Sequence, residues 1–200
     1  SRINFQRAAI TIDNSVSSSN SGIYISNNII DANFTGTGQS SQFGAIHIST
    51  ANGVTVYVYN NIISGYSRSG TSLFAIFSSY SDKVYVYSNT IHNCDYGIRT
   101  GQGEAVAINN IVESNIQSFV DDDTYGGDWG TGTGYNISSD GTAPGTNSLS
   151  STTVRFLDAT NGDFHLHPED TVAVDAGTST VWIPASAGMP KGYDIDGTAR

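Results

Sequence analysis

The sequence predicts an all-β fold, a single-stranded right-handed parallel β-helix in which short strands stack coil upon coil as a solenoid. Three observations predict it. A strand pattern recurs four times at unequal spacing, apolar and polar residues alternate within the strands, and asparagine returns at the same place after successive strands. No window of about 12 residues combines helical apolar spacing with strong helix-forming residues, so helices are not expected.

The composition agrees with strands and tight turns. Charged residues make up only 13% of the chain, apolar residues 38%, and 22 residues are glycine. Serine, asparagine and aspartate compete with the hydrogen bonds of a helix, which favours strands and turns. The net charge is −10 and the eight lysines and arginines are scattered, so we expect no nucleic-acid partner. No apolar run is long enough to span a membrane.

The first strand of each repeat centres on an isoleucine at position 10, 46, 76 or 98. The spacings of 36, 30 and 22 residues indicate that the strands are kept while a loop varies in length. A coil of three strands of about five residues and three turns needs about 22 residues. Alternation points these isoleucines into the core. The residue after each isoleucine is therefore expected on the outer face, and these residues are Thr11, His47, Phe77 and Arg99.

The second strand of each repeat leads into an asparagine-bearing turn. These segments are residues 23–30, 56–63, 84–91 and 105–112, and the register of the fourth stays open. Asparagine tolerates left-handed backbone, and its amide can bond to backbone and to the next asparagine in a stack. We therefore predict a structural ladder made of Asn28, Asn61 and Asn89.

The repeats resemble a known family. Segments of the form apolar-x-apolar-x-Asn-Asn-Ile-Ile, with Gly/Ala-Ile strands between them, are similar to the pectate-lyase-like right-handed β-helix superfamily over residues 8–120. The motifs at 156–158, 161–168, 174–177 and 194–200 resemble the terminal region of bacterial cell-surface β-helix proteins, a group largely of unknown function. The resemblance implies a secreted or cell-surface location, and it restricts the activity only loosely, because the superfamily includes lyases, hydrolases and adhesins.

We expect one domain over residues 1–200. Residues 8–120 form the regular coils. Residues 121–150, rich in glycine, threonine and aspartate, are predicted to be a long loop or coil insertion. Residues 151–200 are predicted to be a non-repetitive terminal coil and cap.

A row of tyrosines is the predicted ligand-binding surface. Strand alternation predicts one exposed strip of tyrosines. It consists of Tyr24, Tyr57 and Tyr85, with Tyr59 and Tyr87 beside them. Exposed aromatic rings can stack on sugar rings, and the coil repeat of about 4.8 Å is close to the length of one sugar residue. The competing interpretation is that tyrosine is simply a good strand former that covers a sheet.

A second interpretation is catalytic. One 22-residue unit added to Arg99 reaches Asp121, so these residues are expected to be neighbours and an ion pair. A hydrolase needs two or three carboxylates within about 5–10 Å of each other. The candidates are His47, Arg99, Asp121 and Asp123, which match no catalytic set of the resembled enzymes residue by residue. No cofactor is predicted apart from Ca²⁺, whose weak candidate ligands are Asp121, Asp122 and Asp123.

The sequence thus favours a non-catalytic, secreted or cell-surface module that binds a polysaccharide or cell-surface glycan, or that serves as an adhesive or structural element. The alternative is a polysaccharide lyase or glycoside hydrolase of the β-helix superfamily. A binder needs only an exposed aromatic strip, whereas an enzyme needs a cleft where charged groups converge. The sequence assigns no oligomeric state.

Overall fold

The computed structural model describes residues 8–13, 22–32, 44–68 and 72–179. In these residues the fold is all-β, with twelve strands and only two short 3-10 helices. The strands are β1 (Ile10–Ile12), β2 (Ile23–Ser26), β3 (Ile29–Asp31), β4 (Gly44–Tyr59), β5 (Ile62–Ser64), β6 (Phe74–Tyr87), β7 (Thr90–Ile108), β8 (Ile111–Asp121), β9 (Gly127–Trp129), β10 (Ile137–Ser138), β11 (Phe156–Asp158) and β12 (Asp163–Leu166). The motif at 194–200, like the rest of the predicted cap beyond residue 179, lies outside the described residues.

Ten of these strands form one parallel sheet. Its hydrogen-bonded path runs β1-β4-β6-β7-β5-β3, and β2, β8, β9 and β10 pair off this path. The sheet curls into an open half-barrel, an arrangement compatible with a parallel β-helix. The predictions of an all-β fold and of mostly parallel strands are therefore confirmed.

The pairings fall into three columns of side chains. In the first column the paired residues are Ile10, Ile46, Ile76, Ile98 and Phe119. In the second they are Ile25, Val58, Val86 and Ala107. In the third they are Ile30, Ile63, Ile91 and Val112. Each column therefore stacks like side chains on like, which is what the repeat predicts.

The core lies inside the curl. Ile46, Ile76 and Ile98 are fully or almost fully buried in one apolar cluster, together with Val58 and Val86 of the second column. Burying one such side chain stabilises the fold by about 1.5–3 kcal/mol. The interior column predicted from the isoleucine spacing is confirmed, and it supplies much of the hydrophobic stabilisation of the sheet.

The second strands of the third and fourth repeats pair at a spacing of 21 residues, and the first strand of the fourth repeat pairs with the next coil at the same spacing. Val84 pairs with Ala105, and Ile98 pairs with Phe119. Arg99 therefore lies beside Val120, while Asp121 lies beside Thr100. The expected pairing of Arg99 with Asp121 is wrong by one residue, because the shortest coil is one residue shorter than the assumed unit.

Residues 121–150, predicted to be a long loop or coil insertion, contain short paired strands. A 3-10 helix at Asp123–Tyr125 is followed by β9, which pairs with β7, and by β10, which pairs with β8. Isolated parallel bridges then join Gly134 to Thr146 and Ile137 to Leu149. The segment thus continues the coils with very short strands, which the surrounding glycine and threonine residues conceal in the sequence.

The described part of the C-terminal segment contains an antiparallel pair. Strands β11 and β12 pair with Phe156 opposite Leu166, and Phe164 lies 5.4 Å from the His92 ring on β7. The Val154 amide donates a 2.7 Å hydrogen bond to Oε1 of Glu113 on β8. These contacts attach the hairpin to the parallel sheet.

Among the described residues, no helix has the length and apolar character needed to cross a membrane.

Candidate functional site

The predicted asparagines form a hydrogen-bonded ladder. The Nδ2 of Asn28 donates to Oδ1 of Asn61 at 2.9 Å, and Nδ2 of Asn61 donates to Oδ1 of Asn89 at 3.0 Å. The ladder extends beyond the predicted rungs through Asn110 and Asn136, with the same Nδ2-to-Oδ1 bond at 3.0 Å. From Asn61 onward, each of these amides also donates to a carbonyl of the preceding coil.

Each rung follows a residue with positive φ. These residues, with φ between 52° and 59°, are Asn27, Asn60, Ser88, Asn109 and Tyr135. Left-handed backbone is costly for most residue types, and asparagine tolerates it best after glycine. The ladder amides satisfy backbone groups at this sharp turn, so their hydrogen-bonding capacity is used within the fold. The ladder is a structural element, as predicted, and no surface for a ligand.

The tyrosine row forms a stack of rings. Tyr24 lies on Tyr57 and Tyr57 lies on Tyr85, with 5.1 Å between ring centroids in both pairs and interplanar angles of 11° and 9°. The register Tyr24–Tyr57–Tyr85 is as the sequence predicts. Both faces of the Tyr57 ring are therefore covered by neighbouring rings, and the side chain is only 7% exposed.

The expected exposed strip is wrong for three of its five residues. Tyr59 has no exposed surface and Tyr87 is 3% exposed, so they are buried like Tyr57. Burial raises the pKa of Tyr66 to about 12 in the core and moves the pKa of Tyr87 in the same direction, because the phenolate is poorly solvated there. Only Tyr24 and Tyr85 remain half-buried. Strand alternation gives the side of the sheet on which a ring lies, but not what covers it.

A depression of about 290 Å³ lies on the outer face of the first column. It is lined by Ser72, Phe74, Tyr96, Arg99, Gln117, Val120, Asp121 and Asp122. Two outward files build it. One contains Phe74, Tyr96 and Gln117, which are in register across β6, β7 and β8, and the other contains Arg99 and Val120.

A buried ion pair forms the floor of this depression. Nη2 of Arg99 donates to Oδ2 of Asp122, and both side chains are about 10% exposed. The guanidinium also lies over two rings, 4.9 Å from the centroid of Phe74 and 4.8 Å from that of Phe77. A planar guanidinium suits this position, because it stacks on aromatic faces while it donates to a carboxylate. The partner of Arg99 is thus the residue after the predicted Asp121.

Aromatic rings form one wall. Phe74 and Tyr96 are stacked with centroids 4.9 Å apart. Phe74 is buried whereas Tyr96 is partly exposed, so Tyr96 is the ring of this wall nearer to the surface, and we call its position the rim. Sequence reasoning missed both residues. Strict alternation places a residue two positions before a core isoleucine on the inner face, so it gave no signal for Phe74, before Ile76, or for Tyr96, before Ile98.

Asp121 is an exposed carboxylate that also lines the depression. Thr100 Oγ1 donates to its Oδ1 at 3.4 Å. Burial raises the pKa of Asp121, and the nearby carboxylates of Asp123 and Asp128 raise it further. The shift means that negative charge is concentrated around this residue.

The four catalytic candidates do not converge. His47 lies two strands from Arg99 in the outer file, with Phe77 between them. Its Nε2 is 2.9 Å from Oγ of Ser79, its ring stacks on Phe77 at 5.3 Å, and burial lowers its pKa. Asp123 is exposed in the 3-10 helix that follows β8. Of the four residues, only Arg99 and Asp121 line the same depression.

The proposed Ca²⁺ ligands are also separated. Asp122 is directed at Arg99, and Asp121 accepts from Thr100. In the part of the chain that the structure describes, no group of three or more histidine, cysteine, aspartate or glutamate residues could hold a metal ion. Asp121, Asp122 and Asp123 therefore do not make a joint ligand set.

The comparisons with known proteins add no relative. No family model matches the sequence, no curated protein matches it, and no solved structure matches the fold. The functional conclusion accordingly depends on the geometry of the outer depression.

Proposed function

We propose that this chain is a non-catalytic carbohydrate-binding module and that it holds one sugar unit of a polysaccharide in the outer depression. The observation that carries the proposal is the combination of an aromatic wall, Phe74 and Tyr96, with a buried Arg99–Asp122 pair in one concavity. A volume of about 290 Å³ lies at the lower end of small-molecule sites, which suits a single ring better than a large cofactor.

The chemistry of the lining supports a sugar. The ring surface of Tyr96 can contact the CH groups of a sugar face, while hydroxyls of the sugar remain near polar groups. Ser72 and Gln117 provide a hydroxyl and an amide at the wall, and Asp121 provides an exposed acceptor. Fixed polar groups beside an apolar surface are typical of sites that orient a polar ligand.

The depression is a better binding surface than the tyrosine row. In the row, the ring faces of Tyr57 are covered by Tyr24 and Tyr85, so a sugar meets ring edges and hydroxyls only. In the depression, Tyr96 stacks on Phe74 and is partly exposed, and the described residues place no second ring on it. We therefore assign the ligand to the depression and a mainly structural part to the row.

We further propose that the curled sheet is part of a right-handed parallel β-helix of the pectate-lyase-like type, and that the protein is secreted or displayed on a cell surface. Support for the helix comes from the order of the pairings, because successive segments of the chain visit the three columns in the same sequence. Support for the location comes from the acidic, lysine-poor composition and from the sequence resemblance.

Direct binding to a panel of polysaccharides and oligosaccharides tests the function. We expect the wild-type chain to retain at least one glycan, and Tyr96→Ala to weaken that binding about tenfold, because the rim ring is lost. Tyr80→Ala is the matched control, since Tyr80 is an exposed tyrosine of β6 that does not line the depression. Circular dichroism checks that both variants fold. If no glycan binds, the proposed function is wrong, and if both variants bind as the wild type does, the glycan is not held in this depression.

Polysaccharide cleavage is the second candidate, and one observation favours it. Asp121 and Asp122 line the same depression, and the pKa of Asp121 is raised by burial and by neighbouring carboxylates. Glycosidases use one carboxylic acid that stays protonated beside one that is ionised. The pairing of Asp122 with Arg99 counts against it, because that carboxylate is already occupied.

An assay of new reducing ends and of unsaturated sugar products separates the two candidates. Each polysaccharide that binds is incubated with the wild-type chain and with Asp121→Asn. Cleavage by the wild type that is lost in the variant establishes the enzyme, whereas binding without cleavage supports the module.

A further inference from the structure

The charges around the depression define which sugars it can accept. Among the described residues that line it, Arg99 is the basic one, and its guanidinium is directed at Asp122 and lies over the rings of Phe74 and Phe77. A ligand anion would have to compete with Asp122 for this cation. Breaking a buried pair is costly, because one charge is left without its partner. Arg99 is therefore poorly placed to receive the carboxylate of a uronate.

The remaining charge of the lining is negative. Asp121 is exposed, and none of the lysine or arginine ion pairs among the described residues includes it. Asp128 lies on β9 beside Glu104 of β7, and the nearest basic side chain along that register, Lys83, is paired with Glu104 at 3.6 Å. The surroundings of Asp121 are thus acidic, in a chain whose net charge is −10.

We infer that the depression accepts a sugar that carries a free amino group, such as a glucosamine unit of a polymer, with its ammonium group at Asp121. The inference rests on the proposed carbohydrate-binding function and specifies its ligand. It reverses the charge preference expected of a site for acidic polysaccharides. An ammonium group at Asp121 gains a charge-assisted hydrogen bond, whereas a uronate there meets like charge.

Three oligosaccharides of equal length test the inference by isothermal titration calorimetry. They are a glucosamine hexamer, the same hexamer fully N-acetylated, and a galacturonate hexamer, each at low salt and about pH 6, where primary amines are protonated. We expect the glucosamine hexamer to bind at least about fivefold more tightly than the N-acetylated one, the ratio that one exposed charge contact gives. The galacturonate hexamer is expected to bind most weakly. Added salt should reduce these differences.

Two charge-neutralising variants show which carboxylate causes the preference for the glucosamine hexamer. Asp121→Asn should bring the ratio of glucosamine to N-acetylated affinities close to one. Glu169→Gln removes the same charge at an exposed position after β12 and should leave the ratio unchanged. A preference for glucosamine that persists in Asp121→Asn would place the amine elsewhere and overturn the inference.

The outcomes also separate the inference from the function on which it rests. If the galacturonate hexamer binds as well as or better than the glucosamine hexamer, or if all three bind equally, the charge inference is wrong while carbohydrate binding stands. If none of the hexamers and no other glycan of the polysaccharide panel binds, both fail together.

Discussion

Replacing Asn89 by alanine tests the amide ladder at a fully buried rung. The Asn89 side chain donates from Nδ2 to the Val58 carbonyl and to Oδ1 of Asn110, both at 3.0 Å. Its Oδ1 accepts from the backbone amide and from Nδ2 of Asn61, also at 3.0 Å. The substitution removes all four hydrogen bonds at once, in a place that water reaches only if the coils separate.

The expected cost follows from the groups that lose their partners. The Asn61 backbone amide and the Val58 carbonyl become buried without this partner, whereas Asn110 Oδ1 keeps the Asn89 backbone amide and Asn61 Nδ2 keeps two carbonyls. A buried polar group without a partner costs about 1–3 kcal/mol. Two such groups give a loss of about 4 kcal/mol in the free energy of unfolding, a large part of the stability of an ordinary domain.

Asn28→Ala is the matched control at the first rung. Asn28 is half-buried, and its side chain only donates, to Asn61 and to the Ser26 carbonyl, so water can replace these bonds and the expected loss is about 1 kcal/mol. Urea unfolding followed by circular dichroism measures both losses, with equal m-values showing that the same surface unfolds. Equal losses for the two variants would refute the argument that buried amide partners hold the coils together.

Three further predictions concern the stacked tyrosines, the tight contact of Gly97 with the next coil, and the loss of stability at acidic pH. Tyr57→Ala should lower the free energy of unfolding by about 3 kcal/mol, since the ring is buried between two others, and Tyr57→Phe should cost far less in the same thermal unfolding assay. Gly97→Ala should destabilise by about 3 kcal/mol, because its Cβ would lie 2.2 Å from a backbone oxygen of the next coil. Gly141→Ala, with nothing within 4 Å, should be nearly neutral, and similar melting temperatures for the two would contradict the packing argument. Burial opposes ionisation of Asp140, but hydrogen bonds from Thr142 and other groups outweigh it and hold its pKa below the usual value. Its stabilising contribution is present above about pH 4 and is lost as the pH falls through the lowered pKa, so Asp140→Asn should show a smaller loss of stability on acidification.

The repeat pattern was sufficient to predict the interior. The isoleucines at 46, 76 and 98 share a column because strand alternation and a recurring motif fix both the face and the neighbour. The same reasoning predicted the first three ladder asparagines. It stopped short of Asn136, whose coil has strands of only two or three residues and therefore lacks a visible alternation.

The site was predicted less well, for two physical reasons. The shortest coil is one residue shorter than the assumed unit, so Arg99 lies beside Val120 and not beside Asp121. Its ion-pair partner, Asp122, follows the end of β8, so no strand register predicts it. Exposure depends on which side chains cover a ring, and stacking within the column buried Tyr57 although it lies on the outer side of its strand. Neither the exact length of a coil nor the packing of a ring follows from alternation alone.

The ladder has consequences for how the protein folds and for how it unfolds under mechanical force. Bonded rungs are separated by 33, 28, 21 and 26 residues along the chain, so every rung finds its partner one winding away, however many windings precede it. In the β-helix that we propose, assembly can then spread from any nucleus by adding one winding at a time, without long searches between distant segments. Traction on the two ends should peel windings away in succession, and a single-molecule pulling trace should show a series of similar small steps.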